Sequence, residues 1–416
     1  MGADHHAAAG RDTDHPQGRR SRSNPPAPTW VRIVLAVLAL GTVLSAVFTW
    51  PTGDRLDTSQ GAVFVHGVVR ATAPTGCGSV QCANVTIELL DGPEAGTTTD
   101  LVFPPGRASD PGLTPGLHVR LARGDGGGTA PVSYEYDDIE RGQSLLILAL
   151  VFAVLVALVA RWRGLAALIG LAVTFAVLVE YLLPKLLDGG SPTLTAMTAA
   201  GAIVFVAVPL AHGRGVKSAI AILGTLLGTA LCAAFATVGV GVAHLTGLST
   251  DEVPTLIALG SPTTVQGLVL CGAIVGSIGV LNDVTITQAS AVVELAAAAP
   301  EASRASLIAA GMRVGKDHIA STVYTLALAY AGSALPILLL LTSSGRAGVD
   351  AFTSDIVAGE IIRSLAGGVG LVLAVPVTTV LAAACIRRRP AVQAAASPDD
   401  DAAARPWLQV TRTDGP

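Results

Sequence analysis

The chain has 416 residues, of which 51% are hydrophobic and only 13% charged, with a formal net charge of −4. So apolar a chain with so little charge is not an ordinary soluble globule, whose surface needs about a quarter or more charged residues to stay in solution. The slightly acidic balance offers no basic excess for nucleic acid, and no nucleic-acid partner is expected.

Residues 1–29 are rich in His, Pro, Ser and Ala and read as a disordered tail, in which His5-His6 are solvated. Residues 30–50 hold the first long apolar run. A basic stretch, Arg19-Arg20-Ser21-Arg22, precedes it as it would a signal peptide. The apolar part is longer than a signal core and ends in Phe48-Thr49-Trp50-Pro51 without a small-x-small cleavage site. An uncleaved transmembrane anchor is therefore expected.

Residues 51–142 form the one sizeable polar segment. Short alternating runs at 62–65, 85–89, 101–103, 117–121 and 132–136 read as strands. Turn-rich stretches such as Asp91-Gly92-Pro93, Pro104-Pro105-Gly106 and Gly126-Gly127-Gly128 separate them. Five short strands predict a small β-barrel-like domain of OB or SH3 type. Cys77 and Cys82 bracket four residues and, in an oxidising compartment, read as a disulfide clip pinning one loop. A zinc site with His66 and His118 fits no recognised spacing, so no metal is expected.

Residues 143–389 hold seven more apolar runs, at about 144–160, 164–183, 194–211, 217–238, 265–281, 319–342 and 364–386. Each lies near or above the ~20 residues that cross a hydrocarbon core. The fold expected is thus an α-helical polytopic membrane protein with about eight transmembrane helices. Cys232, Cys271 and Cys385 lie within these runs as small buried apolar residues. Gly224/Gly228 and Gly272/Gly276 have GxxxG spacing, read as packing within the chain. Pro209, Pro336 and Pro376 lie inside spans as kink sites. Residues 390–416 read as a second disordered tail.

Basic residues orient the spans. With the N-terminus cytoplasmic, the inner loops carry Arg161, Arg163, Arg214, Lys217, Arg304, Arg313, Lys316 and Arg387-Arg388-Arg389, and the short outer loops carry Lys185 and Arg346. Ten against two predicts an inner-membrane protein with both termini cytoplasmic and residues 51–142 outside. The lipid bilayer is the expected partner, with an envelope protein reached through residues 51–142.

No GxSxG, HExxH or GxxxxGK[ST] motif is present, so neither an enzyme nor a cofactor is expected. The stretch Gly311–Lys316 reads as a loop or short helix at the membrane surface. The informative feature is the polar break between the sixth and seventh runs. The sixth ends in Asn282-Asp283, and the seventh follows Lys316-Asp317-His318. Continued as a helix, Asp283, Thr287, Ser290 and Glu294 share one sector, and residues 282–317 form an amphipathic cytoplasmic segment. On the seventh run His318, Ser321, Thr322 and Thr325 share a face. A carboxylate at a span's end demands a reason. The candidate ion or proton relay is Asp283, Asn282, Thr287, Glu294, Asp317, His318, Thr322 and Thr325. The opposing reading is structural: hydroxyls bonding their own helix, and acids sitting at headgroup level.

The blocks GSIGVLNDVTITQASAVVEL and GMRVGKDHIASTVYTLALAYAGSALPILLLL resemble the YibE/F-like family of bacterial multipass membrane proteins. The resemblance covers about residues 140–390. Many members have Met-Asp where this chain has Asn282-Asp283, and Gly-Arg-Asp where it has Gly315-Lys316-Asp317. The anchor and the segment VTIELLDGPEAG are similar to the long, YibE-type members. A looser likeness links the closing spans to proton-driven SecD/SecF-type proteins. The resemblance implies membership and fold, and transport or transport assistance is the function expected. A non-transporting scaffold or sensor is the alternative.

Overall fold

The computed structural model describes residues 26–51, 63–78, 80–103, 113–124, 132–246, 264–343 and 348–386. The tails at 1–25 and 387–416, Arg346 and the glycine run at 126–128 lie outside the described residues.

Seven helices among the described residues are long and apolar enough to cross a membrane. They are α1 (Thr29–Phe48), α2 (Gly142–Leu187), α3 (Pro192–His212), α4 (Val216–Val242), α5 (Val265–Ala298), α6 (Arg304–Ser343) and α7 (Asp355–Cys385). The expected count of eight is therefore corrected to seven. The runs at 144–160 and 164–183 belong to one helical stretch of 46 residues. That stretch is broken at Arg161, whose φ of 54° and ψ of −134° are not helical. A Cβ on Gly164 would lie 2.6 Å from the Val156 carbonyl oxygen. In a straight helix eight residues rise about 12 Å, so the chain folds sharply back at Arg161. Further along, Leu178–Leu182 form a single π turn.

Helices α4, α5 and α7 make the centre of the bundle. Alanine, glycine and threonine line their contacts, because an apolar surround gives helices little reason to associate other than close packing. A Cβ on Gly228 would meet Leu281 at 2.9 Å and Ala374 at 3.0 Å, and one on Gly370 would meet the Gly228 carbonyl oxygen at 2.8 Å. The GxxxG pair on α4 thus serves packing within the chain. Leu281, Val284, Leu371, Ala374 and Val375 form one buried apolar cluster there. Helix α3 packs on this centre through Ala196, Ala199, Ala200 and Ile203. Helix α1 lies against α3, with Ser45 and Thr198 hydroxyls 2.7 Å apart. At its C-terminal end Thr49 meets the Tyr181 hydroxyl at 2.6 Å, and Trp50 lies tilted with its ring 5.9 Å from the same ring.

Segment 282–317 lies mostly within two of these helices. Its first part runs on within α5 and its last part lies inside α6, a helix of 40 residues. Val284, Thr285, Ile286, Gln288, Ala289 and Val292 are buried, as are Gly311 and Gly315, while Asp283, Thr287, Glu294, Arg313, Lys316 and Asp317 are exposed, so one face of the segment packs into the bundle. Periodicity gave the helix its polar sector but hid the second, buried face.

The polar segment folds as five antiparallel strands: β1 (Val63–Cys77), β2 (Val80–Leu89), β3 (Thr98–Phe103), β4 (His118–Gly124) and β5 (Ser133–Ile139). Their order is β3-β2-β1-β4-β5. Register shifts at Val69/Ala71 and Arg120/Leu121 mark bulges, which increase twist and curl the sheet. The curl brings β3 and β5 together, where Phe103 and Tyr136 meet edge to face at 5.4 Å. Among the described residues the two edges do not pair, so the expected barrel is an open curled sheet. Val65, Val85, Ile87, Val119 and Leu121 fill its concave side. Strand β1 is far longer than predicted and forms a hairpin with β2, whose tip the Cys77–Cys82 disulfide closes. Those sulfurs are therefore not free to ligate a metal.

Ile87 is fully buried in the small domain. Ile87→Ala is expected to cost about 2–5 kcal/mol of domain stability. A chemical denaturation series on the purified protein, followed through the domain's tyrosines, checks this.

Candidate functional site

Asp283 and Thr287 on α5, and His318, Ser321, Thr322 and Thr325 on α6, line one cleft of about 470 Å³ between the two helices, with Gly279, Val280 and Val284. Five of the eight sequence-predicted relay residues thus come together from segments separated by about 35 positions. Asp283 and Thr287 are exposed to the cleft, and Thr322 and His318 are half-buried.

The hydroxyl geometry sets the character of the cleft. Thr287 donates to the Asp283 carbonyl oxygen at 2.7 Å. Thr322 and Ser321 donate to the His318 carbonyl oxygen at 2.6 and 3.2 Å, and Thr325 donates to that of Ser321 at 3.2 Å. Each hydroxyl commits its only proton to its own helix. What remains toward the cleft is oxygen lone pairs, the Asp283 carboxylate and the His318 imidazole. The His318 Nδ1 atom is buried and has no hydrogen-bond partner. The cleft is rich in acceptors, which suits a proton or a small cation and not an anion.

The other three predicted residues lie elsewhere. The Glu294 carboxylate accepts from Lys217 Nζ at 2.8 Å, tying α5 to α4. Asp317 is exposed and does not line the cleft. The Asn282 side-chain oxygen is buried without a partner.

Sequence reading missed the buried polar face of α5. Gln288 is wholly buried, and its Nε2 donates to the Gly311 carbonyl oxygen at 2.8 Å and to Thr379 Oγ1 at 2.7 Å. Thr225 and Thr285 share a hydrogen bond of 2.7 Å. Gly311 and Gly315 let α6 approach: a Cβ on Gly315 would lie 2.5 Å from Val375 Cγ1 and 3.2 Å from Gln288 Nε2. The glycine spacing in GMRVGKD was the available signal. It marks helix contact and not a surface loop.

A charged pair was also missed. Arg363 and Glu360 lie within α7 and bond at 2.6 Å, with 28% and 19% of their side chains exposed. Arg363 falls just before the predicted eighth run and was left out of the outer basic count.

In the sheet domain, His66 ties three segments. Its Nδ1 lies 2.5 Å from Asp91 Oδ2, its backbone N–H donates to Asp91 Oδ1 at 2.6 Å, and its Nε2 lies 3.5 Å from Glu140, two residues before α2. The Asp91 bond raises the His66 pKa above its ordinary 6.5, and that bond lowers the Asp91 pKa. Glu94 accepts from Arg123 at 2.8 Å and from Tyr134 at 2.9 Å, and these bonds push its carboxyl down to about 2.

Seven helices of spanning length and apolar composition among the described residues mark a membrane protein. The YibE/F-like protein family matches residues 148–388, and the chain belongs to that family. Neither the curated proteins nor the solved structures gave a match.

A raised histidine pKa stabilises the fold below the unfolded-state value and loses that contribution as pH rises through the folded one. The lowered Asp91 contributes above the usual carboxylate range and loses its share as pH falls through its own folded value. The sheet domain is therefore expected to melt highest between the two, with its melting temperature falling as pH climbs past neutrality. His66→Gln should flatten that alkaline arm. Because His66 and Asp91 are both about half exposed, salt should weaken the effect. Thermal melts of parent and variant across pH, at low and high salt, check it.

Proposed function

We propose that this protein is a bacterial inner-membrane transporter or transport-assisting component that handles a proton or small cation at the α5–α6 cleft. One observation carries the reading: two distant segments place a carboxylate, an imidazole and acceptor-only hydroxyls in one cleft. Asp283 is the group that exchanges the proton or holds the cation. Thr287, Thr322 and Thr325 supply oxygen ligands, and His318 is the neighbouring proton carrier. Ionisable groups within membrane helices are functional candidates because their cost must be offset by use.

The membrane topology follows the basic residues. The fold-back at Arg161 lets the single helix α2 cross twice, which keeps both chain ends on the cytoplasmic side despite seven helices. The curled sheet then stands outside, in the compartment where the Cys77–Cys82 disulfide is stable. Its strand order and curl support an OB-type partly open barrel. A scaffold or sensor role, with the domain binding an envelope protein, is the second reading. Exposed Phe64, Val63 and Val102 on the domain favour it.

Two experiments test the proposal. With single cysteines at Ala95 and Glu301, both exposed, an impermeant maleimide added to intact cells should label Ala95→Cys and leave Glu301→Cys untouched. The opposite pattern would invert the topology. In the second, Asp283→Asn should insert and remain as thermostable as the parent while losing about 10²-fold or more of its activity, the scale of a proton-transfer group. Glu294→Gln should be milder, since its partly exposed pair with Lys217 is worth about 0–1 kcal/mol. Full complementation of a deletion strain by Asp283→Asn would leave Asp283 as a headgroup-level anchor.

A further inference from the structure

At the basic face of the bundle two arginines stand without a counter-charge. Val31 on α1 is wholly buried in a cluster with Val216 and Ile220 of α4 and Ala382 of α7. That packing fixes the start of α1, and the next residue, Arg32, comes out exposed. Arg214 sits in the tight turn between α3 and α4. Gly213 opens that turn with a φ of 77°, which favours glycine. Its N–H donates to the Pro209 carbonyl oxygen at 2.9 Å, and its own carbonyl oxygen accepts from Ser218 Oγ at 2.6 Å. Arg214 is thus exposed on a fixed backbone. Among the described residues neither guanidinium has a hydrogen-bond or ion-pair partner. Lys217, on the first turn of α4, differs: Glu294 meets its charge at 2.8 Å.

Arg32 also lines two clefts. The first, of about 350 Å³, lies between α1 and the α3–α4 turn; Arg32 and Arg214 both line it, with Leu35, Pro209 and Ile222 as apolar walls. The second, of about 560 Å³, lies between the start of α1 and the ends of α5 and α7, where Val293, Ala296 and Ile386 are the walls. Both fall in the size range of ligand pockets, about 300–1,000 Å³. Among the described residues no acid lines either one. Trp30, two residues before Arg32, is half exposed and marks this depth as the headgroup zone. The demands on an occupant are therefore double. A soluble phosphate would match the guanidiniums and leave the apolar walls wet. A lipid without net charge would cover the walls and leave two cations unmet. An anionic phospholipid answers both: guanidinium forks bind phosphate oxygens bidentately, and basic pockets between membrane helices suit anionic headgroups. The stretch Arg19-Arg20-Ser21-Arg22, which precedes Pro26 in the sequence, would add positive charge here and is not a complementary occupant.

We propose that Arg32 and Arg214 hold the phosphate of an anionic phospholipid whose glycerol and upper acyl carbons fill the clefts beside α1. The lipid joins α1 to the α3–α4 turn and to the ends of α5 and α7. Helix α1 leads directly into the sheet domain, so the bound lipid fastens that domain's anchor to the bundle. The inference goes beyond the Asp283 cleft and depends neither on it nor on which face is cytoplasmic.

The test reads lipid binding and needs no assay of transport. The full chain, stripped of lipid in detergent, is titrated with phosphatidylglycerol or phosphatidylcholine under native mass spectrometry, with inorganic phosphate as competitor. The parent should bind one phosphatidylglycerol about tenfold or more tighter than phosphatidylcholine. Arg32→Gln and Arg214→Gln should each weaken phosphatidylglycerol by about tenfold, the scale of one hydrogen bond to a charged group, and leave phosphatidylcholine unchanged. Arg313→Gln removes an exposed cation of α6 that lines neither cleft and should bind as the parent does. Ala297→Trp fills the second cleft without changing a charge and should also weaken phosphatidylglycerol. If a Gln variant does not elute as a single species, Ala297→Trp carries the test through the walls alone. Equal binding of the two lipids, Gln variants no weaker than Arg313→Gln, or parent-like binding by Ala297→Trp overturns the proposal. Displacement of the lipid by equimolar inorganic phosphate overturns it too, leaving a site for free phosphate. A fully active Asp283→Asn sinks the relay and leaves this lipid site standing. Loss of lipid selectivity sinks the lipid site and leaves the Asp283 cleft as it was.

Discussion

The approach of α4 to α7 at Gly228 and Gly370 governs the bundle. At this crossing a Cβ on either glycine would strike backbone or side chain within about 3 Å. Lipid tails are as apolar as leucine, so burying apolar surface does little to hold membrane helices together. Van der Waals packing at short range has to do it, and only residues with almost no side chain permit that range. The same device recurs where Gly224 meets Thr378 and Thr285, and where Gly311 and Gly315 admit α6. Once α4, α5 and α7 are fixed at this distance, the directions in which α5 can present its polar residues are fixed too.

Helix α5 then shows two kinds of polarity. On its inner side Gln288, Thr285 and their partners on α4, α6 and α7 are sealed from solvent and bonded across helices, which specifies register and packing. On its other side Asp283 and Thr287 face an open cleft, with hydroxyls whose protons are already committed to their own helix. The first set is structural because its donors bond across helices within the protein. The second is available for chemistry because its lone pairs are not so bonded. Residue type alone does not separate them, since both sets are threonines with one larger polar group.

The sheet domain depends on a different balance. A domain of this size buries only a small core, so peripheral links count for more. The turn between β2 and β3 is held down by Glu94 against Arg123 and Tyr134, and by Asp91 against His66. Glu140 reaches the same His66 from the short connection to α2. The domain is thereby tied to the start of the membrane helices through titratable groups, while the disulfide secures only the distant hairpin tip.

Composition, hydropathy and the family blocks sufficed for the membrane class, the strand-rich segment and the candidate pairing of Asp283 with the His318–Thr325 stripe. These follow from local chemistry: spanning length, period two against period 3.6, and the rarity of charge within apolar runs. Helix count, sheet closure and the buried polar face were beyond them. Arg161 and its neighbours look like any short basic loop, yet the backbone there folds one helical stretch back on itself. Whether the β3 and β5 edges bond depends on how far the whole sheet curls, to which the bulges in β1 and β5 contribute. Gln288 sits in a run that reads as amphipathic surface and becomes interior only because α6 and α7 close over it. Glu360 and Arg363 lay at the margin of a predicted span, and only the contact with Gly272 and the nearness of Tyr330 put them in the bundle. A single sequence records which side chains a helix carries. Which of its faces meets another helix, and which stays open, is fixed by packing between segments far apart in the chain.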